Sequence, residues 1–145
     1  MTAIAWKNGV LAADSRVTIG HNVVDDSTKK IYRHKQYVLA ACGGSNVCAW
    51  YYAWLKSNFM IAAVHNLEED AEAFLIDTEN KKLWRVYANG YREECNPKVP
   101  IATGSAWFAV QLLMREFNMP PTKAIKTVGK YDMSINRKVR SVKCW

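Results

Sequence analysis

The sequence predicts an α+β fold, and three observations carry the prediction. Short runs rich in Val, Ile, Ala and aromatic residues, at Ala3–Trp6, Val10–Ala13, Val23–Val24 and Tyr37–Cys42, are separated by Asn-Gly, Gly-His and charged breaks, the pattern of consecutive antiparallel strands. Helical spacing of apolar residues follows Gly43-Gly44-Ser45 and again follows Gly104-Ser105. Between these two helices lies a second group of strand-like runs, so strands and helices come in blocks that must share one core.

Taken in order, Lys7-Asn8-Gly9 predicts a tight hairpin between the first two strands, because Asn and Gly tolerate the positive φ such turns need. Ser45 or Asn46 is the expected N-cap of a first helix running to about Asn58, with Val47, Trp50, Tyr51, Trp54 and Leu55 at helical spacing. Glu72–Asp77 and Leu83–Tyr87 form a hairpin through Thr78-Glu79-Asn80, and Val99–Ala102 is a further strand. The next helix carries Ala109, Val110, Leu113 and Phe117 on one face. Pro120-Pro121 stops the chain, and Thr122 is the expected cap of a third helix through Ala124, Ile125 and Val128 to about Tyr131. Val139–Trp145 is expected to supply a last strand. No repeat, linker or low-complexity segment divides the chain, so residues 1–145 read as one domain.

Half of the residues are hydrophobic and the charged fraction is ordinary, which favours a globular chain over a disordered one. The longest apolar runs, Val38–Cys42 and Ala106–Met114, fall short of a membrane span. Lys7, Asn8 and Gly9 interrupt the N-terminus before a signal-peptide core can form. A cytoplasmic location without a membrane partner is therefore expected. Cys42, Cys48, Cys95 and Cys144 lack the paired spacings of metal sites and read as buried free thiols. His21, His34 and His65 have no local carboxylate or cysteine partner, so neither a metal nor a cofactor is expected. The net charge of +7 is densest at Arg137, Lys138, Arg140 and Lys143 without any nucleic-acid module signature, and reads as a solvated basic face.

The chemistry starts at Thr2. A methionine followed by a small residue is normally removed, which would leave Thr2 with its hydroxyl and a free α-amine on one residue. Such an amine, with an ordinary pKa of about 8, can take the hydroxyl's proton and make it a nucleophile. A lysine beside that hydroxyl would lower its pKa, and an aspartate could hold the lysine there; Lys30 and Asp14 are the candidates. Taken singly, a surface ion pair and a solvated Lys29-Lys30 are commoner roles. Gly43-Gly44 offers backbone N–H groups at a helix N-terminus, where an oxyanion can be stabilised, or simply a tight turn. Ser105 alone would be a helix cap, and Asp132 a helix-end carboxylate in solvent.

Order and spacing add what each residue lacks. Thr2-Ala3-Ile4-Ala5, Gly9-Val10-Leu11-Ala12-Ala13-Asp14-Ser15-Arg16-Val17-Thr18, Lys29-Lys30-Ile31, Ala41-Cys42-Gly43-Gly44-Ser45 and Ala102-Thr103-Gly104-Ser105 together resemble the proteasome β-subunit family, with the HslV-like branch nearest in its leader of methionine alone. The resemblance spans nearly the whole chain. It implies an N-terminal nucleophile (Ntn) hydrolase with an αββα sandwich, two stacked antiparallel sheets flanked by helices. It assigns Thr2 as nucleophile with its own amine as base, Lys30 as activating lysine and Asp14 as its partner. Gly43 becomes the oxyanion donor, and Ser105 and Asp132 hold the threonine amine and its relay water. Val17, Thr28, Ala41, Ser45 and Ala49 would line a roomy, mostly uncharged pocket for the side chain before the cleaved bond.

The resemblance further implies a homo-oligomeric ring fed with unfolded polypeptide by an ATP-driven unfoldase. Three features depart from the pattern. The stretch before Glu72 is short where the family has a long second helix, so that helix is expected to be shortened or absent, as in a compact, phage-type member. Ile135 stands where the family has a serine or threonine three residues after the aspartate, with Ser134 one earlier. While Met1 stays attached, the Thr2 amine is an amide and cannot act as base. Two other readings compete with a peptidase: an inactive scaffold whose basic surface binds protein or nucleic acid, and an amide hydrolase acting on small molecules through an open site.

Overall fold

The computed structural model describes residues 2–61 and 71–145. The chain is α+β. Strands β1 (Ala3–Lys7), β2 (Val10–Ala13), β10 (Ile101–Gly104) and β11 (Arg140–Lys143) form one antiparallel sheet in the order β10-β1-β2-β11. Strands β5 (Ile31–His34), β6 (Tyr37–Cys42), β7 (Glu72–Asp77), β8 (Lys82–Tyr87) and β9 (Arg92–Cys95) form a second, a meander in sequence order. A short two-stranded ribbon, β3 (Val17–Ile19) with β4 (Asn22–Asp25), follows β2 and leaves Ile19, Val23 and Val24 exposed. The helices are α1 (Ser45–Lys56), α2 (Trp107–Glu116) and α3 (Pro121–Val128).

Side-chain alternation along each strand decides what packs where. In β1, Ile4 and Trp6 join Leu11, Val38, Phe74 and Ile76 in a cluster drawn from both sheets. Ala3 and Ala5 face the other way, with Ala12 and Ala102, onto Val110, Met114, Ala124 and Ile125 of α2 and α3. Alanine on that face is what lets two helices lie close to the strands. On the second sheet, Leu39, Ala73, Leu75 and Val86 pack against Trp50, Tyr51, Trp54 and Leu55 of α1. Each fully buried side chain of the Leu or Phe class stabilises by about 1.5–3 kcal/mol, so these clusters are the main source of stability.

The first hairpin turns at Asn8 (φ 49°) and Gly9 (φ 77°), as the Asn-Gly pair requires. Lys7 does not belong to that turn. It ends β1, is 6% exposed, and its ammonium donates to Met114 O (2.9 Å) in the last turn of α2 and to Asn118 Oδ1 (2.6 Å) and Met119 O (3.3 Å) just beyond it. A cation there meets the negative end of the helix dipole and its unpaired carbonyls. Lys7→Met should therefore lower stability by about 1–3 kcal/mol, read as a lower urea midpoint at unchanged m-value.

Several expectations are corrected. The early strands, expected as consecutive antiparallel strands, divide between sheets: β2 pairs with β1 and with C-terminal β11, while β4 pairs with β3 in a separate two-stranded ribbon. Strand β3 is three residues long and strands β5 and β9 carry little apolar patterning, and all three exist because a neighbouring strand supplies their hydrogen bonds. The strand expected at Val99–Ala102 is β10, displaced to Ile101–Gly104 by its pairing with β1. Gly44, not Ser45 or Asn46, is the N-cap of α1, and the helix ends at Lys56. Ala106 occupies the N-cap of α2, so Ser105 is freed from capping, and the buried face runs through Val110 and Met114 while Phe117 is 66% exposed. Pro121, not Thr122, opens α3, its missing N–H costing nothing at a first helical position, and the helix stops at Val128. The segment expected to hold a shortened second helix falls largely within 62–70, outside the described residues, as does Met1.

Candidate functional site

The first hairpin sets the site. Because β1 and β2 run antiparallel, the residue after β2 returns to the start of β1: Asp14 N donates to Ala3 O (3.1 Å), and Asp14 Oδ1 accepts from Ala3 N (3.0 Å). Asp14 is thereby locked next to Thr2 by backbone, before any catalytic role is considered. Its second oxygen accepts from Arg16 N (3.1 Å).

Lys30 enters from the segment leading into β5. Its ammonium donates to Thr2 Oγ1 (3.0 Å), Asp14 Oδ1 (2.8 Å) and the Arg16 carbonyl (2.6 Å). A lysine ammonium has three hydrogens and no acceptor, so all three are used, and the Thr2 oxygen is left as the acceptor of one. The Thr2 hydroxyl hydrogen is then free to leave in another direction, and the positive charge favours the alkoxide that remains. Lys30 is 5% exposed and the Asp14 side chain is wholly shielded. Burial pulls the Lys30 pKa below the ordinary lysine value of 10.5, outweighing the upward pull of Asp14. Tyr52 on α1 donates from its hydroxyl to the Lys30 carbonyl (3.1 Å), tying the lysine's backbone to the helix.

A second group of side chains approaches Thr2 from the other end of the chain. Ser105 N donates to the Thr2 carbonyl (3.0 Å). Its hydroxyl lies 3.5 Å from Ser134 Oγ, and Ser134 donates from Oγ (2.5 Å) and N (2.8 Å) to Asp132 Oδ1. With the Ser134 hydrogen committed to Asp132, Ser105 can donate to Ser134 and keep its lone pairs for a donor such as an ammonium. Ile135, at the position where a hydroxyl was expected, is instead buried against α2 and α3. Ser134 therefore occupies the bridging place through an Asx-type turn on Asp132.

The 132–136 loop is also clamped to the residues flanking the ribbon. Asn136 Oδ1 accepts from Ser15 N (3.0 Å), its amide donates to Asp26 O (3.0 Å), and Arg16 links Asp26 Oδ1 (2.6 Å) to Met133 O (2.6 Å).

Gly104 carries the tightest steric constraint. At φ 95° it lies so near Thr2 that a Cβ would sit 1.9 Å from the Thr2 carbonyl oxygen. Gly104→Ala should cost roughly 3 kcal/mol or more and displace Thr2 from Lys30; a denaturation midpoint equal to that of the parent chain would contradict this.

Of the other expected residues, Gly43 (φ 127°) follows β6 and sits immediately before the α1 N-cap, where first-turn amides lack helical partners. Its neighbour Cys42 reaches Thr103 Oγ1 at 3.6 Å, one residue before Gly104. Ala41 is 1% exposed and packs under α1, whereas Val17 and Thr28 are half-buried and Ser45 exposed at the rim; Ala49 lies one turn into α1. The structure thus joins Thr2, Asp14, Lys30, Ser105 and Asp132 in one contact chain, and turns Ala41 into the core. Sequence reasoning noted Ser134 beside Ile135 without giving it a role, and missed Tyr52 and Asn136. The signal for the Ser134 role was the Asp-Met-Ser spacing of an Asx turn. Among the described residues, no group of three His, Cys, Asp or Glu could hold a metal, and no helix is long and apolar enough to cross a membrane.

Comparison with protein-family models and with curated protein sequences finds no match. Solved structures do match. The crystal structure of eukaryotic HslV from Trypanosoma brucei superposes with a TM-score of 0.74 over 97% of both chains, at 14% sequence identity. At that identity the likeness establishes a shared fold.

Proposed function

We propose that this chain is an N-terminal threonine peptidase of the proteasome and HslV type, built as an Ntn-hydrolase αββα sandwich. One observation carries the reading: a buried lysine ammonium that spends its three hydrogens on the Thr2 hydroxyl oxygen, an aspartate and a backbone carbonyl. A solvated lysine would need none of this, and its desolvation is costly unless the charge is used or fully paired.

Removal of everything before Thr2 frees the α-amine. The amine takes the Thr2 hydroxyl proton as Oγ1 attacks a peptide carbonyl, and Lys30 stabilises the oxygen during the transfer. The carbonyl oxygen becomes an oxyanion facing the Gly43 N–H. Collapse breaks the C–N bond, the leaving nitrogen receives the proton held by the amine, and an ester to Thr2 remains. A water, deprotonated by the same amine, attacks the ester and returns Thr2. Ser105, through Ser134 and Asp132, orients the amine and the water. Val17, Thr28, Ser45 and Ala49 would give the pocket an apolar preference. A homo-oligomeric ring, an unfoldase partner and a cytoplasmic location belong to the same reading.

Intact-mass measurement before and after a peptide epoxyketone tests it, since that reagent bonds to both hydroxyl and amine of an N-terminal threonine. The expected result is a chain beginning at Thr2 that gains one inhibitor mass. A chain retaining Met1, or a Thr2-started chain without adduct, would leave the scaffold reading standing instead.

A further inference from the structure

A polar cavity of about 410 Å³ opens between the start of β7, β8 and one face of α2. Trp107, Gln111 and Arg115 line it at helical spacings of four, opposite Glu72 and Arg85. None of Thr2, Asp14, Lys30, Ser105 or Asp132 contributes to it, so it is separate from the site above.

Its walls are rich in donors. Arg85 Nε is shielded from solvent and lies 3.5 Å from Glu72 Oε2, an ion pair too long to be a hydrogen bond. Arg115 donates from Nε to Pro100 O (3.0 Å), which leaves its terminal nitrogens for another acceptor. Gln111 spends its oxygen on the Ala102 amide (3.1 Å), leaving its NH2 group. Trp107 is 48% exposed and adds an indole N–H and a flat apolar wall. Against two guanidinium groups stands one carboxylate, Glu72, so the cavity carries one net positive charge.

We propose that this cavity binds a single carboxylate on a short carbon stem, with Arg85 and Arg115 gripping the anion and Trp107 covering the stem. One carboxylate brings the cavity to neutrality, whereas a phosphate dianion would bring excess negative charge against Glu72. Guanidinium groups suit the planar, two-oxygen geometry. Strand β10 is an edge strand, but Gln111 already occupies its Ala102 amide, so the cavity admits a side chain or a small acid and not an added strand. The carboxylate comes either from an acidic residue of a polypeptide or from a free organic acid. The proposal does not depend on the peptidase reading.

Calorimetric titration of the full-length Thr2→Ala chain, which removes turnover from the measurement, tests it with four probes: N-acetylglutamate methylamide, N-acetylglutamine methylamide, glutarate and inorganic phosphate. The expected result is millimolar binding of a carboxylate probe, at least about tenfold weaker binding of the glutamine compound, and a loss of about tenfold in each of Arg85→Gln and Arg115→Gln. Thermal midpoints of both variants establish that they are folded, and exposed Arg115 provides a test even where Arg85→Gln does not fold. Tighter binding of the capped glutamate than of glutarate assigns a polypeptide source, and the reverse order a free acid; both support the proposal. Preference for phosphate, equal binding of the glutamine compound, binding indifferent to Arg115→Gln, or no binding of either carboxylate overturns it.

Discussion

Under the proposed mechanism, Thr2→Ala is expected to lower peptide turnover by roughly 10⁴-fold or more while leaving the chain folded, because it would delete the attacking oxygen and little else. The hydroxyl's contact is the Lys30 ammonium at 3.0 Å, so its loss leaves one hydrogen of a charged group unpaired. That costs at most about 3 kcal/mol, less than the two sheets and three helices contribute through their packed clusters. Thr2→Ser retains the oxygen and should retain measurable activity. The assay is turnover of one fluorogenic peptide by wild type and both variants, with far-UV circular dichroism alongside. Residual turnover in Thr2→Ala close to that of wild type would move the nucleophile elsewhere.

Lys30→Ala has the second largest effect, and on two readouts. Under the same mechanism turnover should fall nearly as far, since the alkoxide would lose the ammonium that contacts the Thr2 oxygen. Stability should fall as well, by about 3–5 kcal/mol, because Asp14 keeps a buried charge without the ammonium that pairs with it at 2.8 Å. Lys30→Ala combined with Asp14→Asn should recover part of the stability and none of the activity, separating the two roles. The pH dependence has a definite sign. In the proposed mechanism Lys30 works as an ammonium, and burial holds its pKa below 10.5, so the rate should decline on the alkaline side before an ordinary lysine would titrate. Circular dichroism at the same pH separates this from unfolding. Burial raises the Cys42 thiol above 9.0 and the Tyr51 hydroxyl above 10.0, so the unfolded chain gives up these protons first, and their contribution to stability is lost as pH rises past those values. A rate constant up to pH 10.5 in a folded chain would remove Lys30 from the chemistry.

How much of this was legible beforehand depended on how local each cause is. The Asn8-Gly9 turn, the apolar face of α1 and the β7–β8 hairpin follow from residues a few positions apart, where φ preference and helical or strand periodicity act directly. Asp14 beside Thr2 is legible for the same reason: one two-residue turn and antiparallel pairing bring the end of β2 back to the start of β1. Strands β5 and β9 were not legible, because polar residues such as Arg33, Glu93 and Glu94 become strand only when β6 or β8 offers hydrogen bonds. Lys7 looked like a turn residue until the end of α2 supplied three acceptors more than a hundred residues away.

The sequence by itself therefore determined the class of the fold, its short-range turns and helices, and the candidates Thr2, Asp14, Lys30, Ser105 and Asp132. Only the tertiary structure decided which strands close the first sheet, β1 against β10 and β2 against β11, each across roughly a hundred residues or more. It alone decided that Ser134 and not residue 135 bridges Ser105 to Asp132, and that Lys30 is a fully paired ammonium with the Thr2 oxygen as one acceptor. The physical reason is common to both. Backbone pairing and buried hydrogen bonds are satisfied by whatever donor or acceptor the packed chain brings within 3 Å, and nothing in a local pattern specifies that partner.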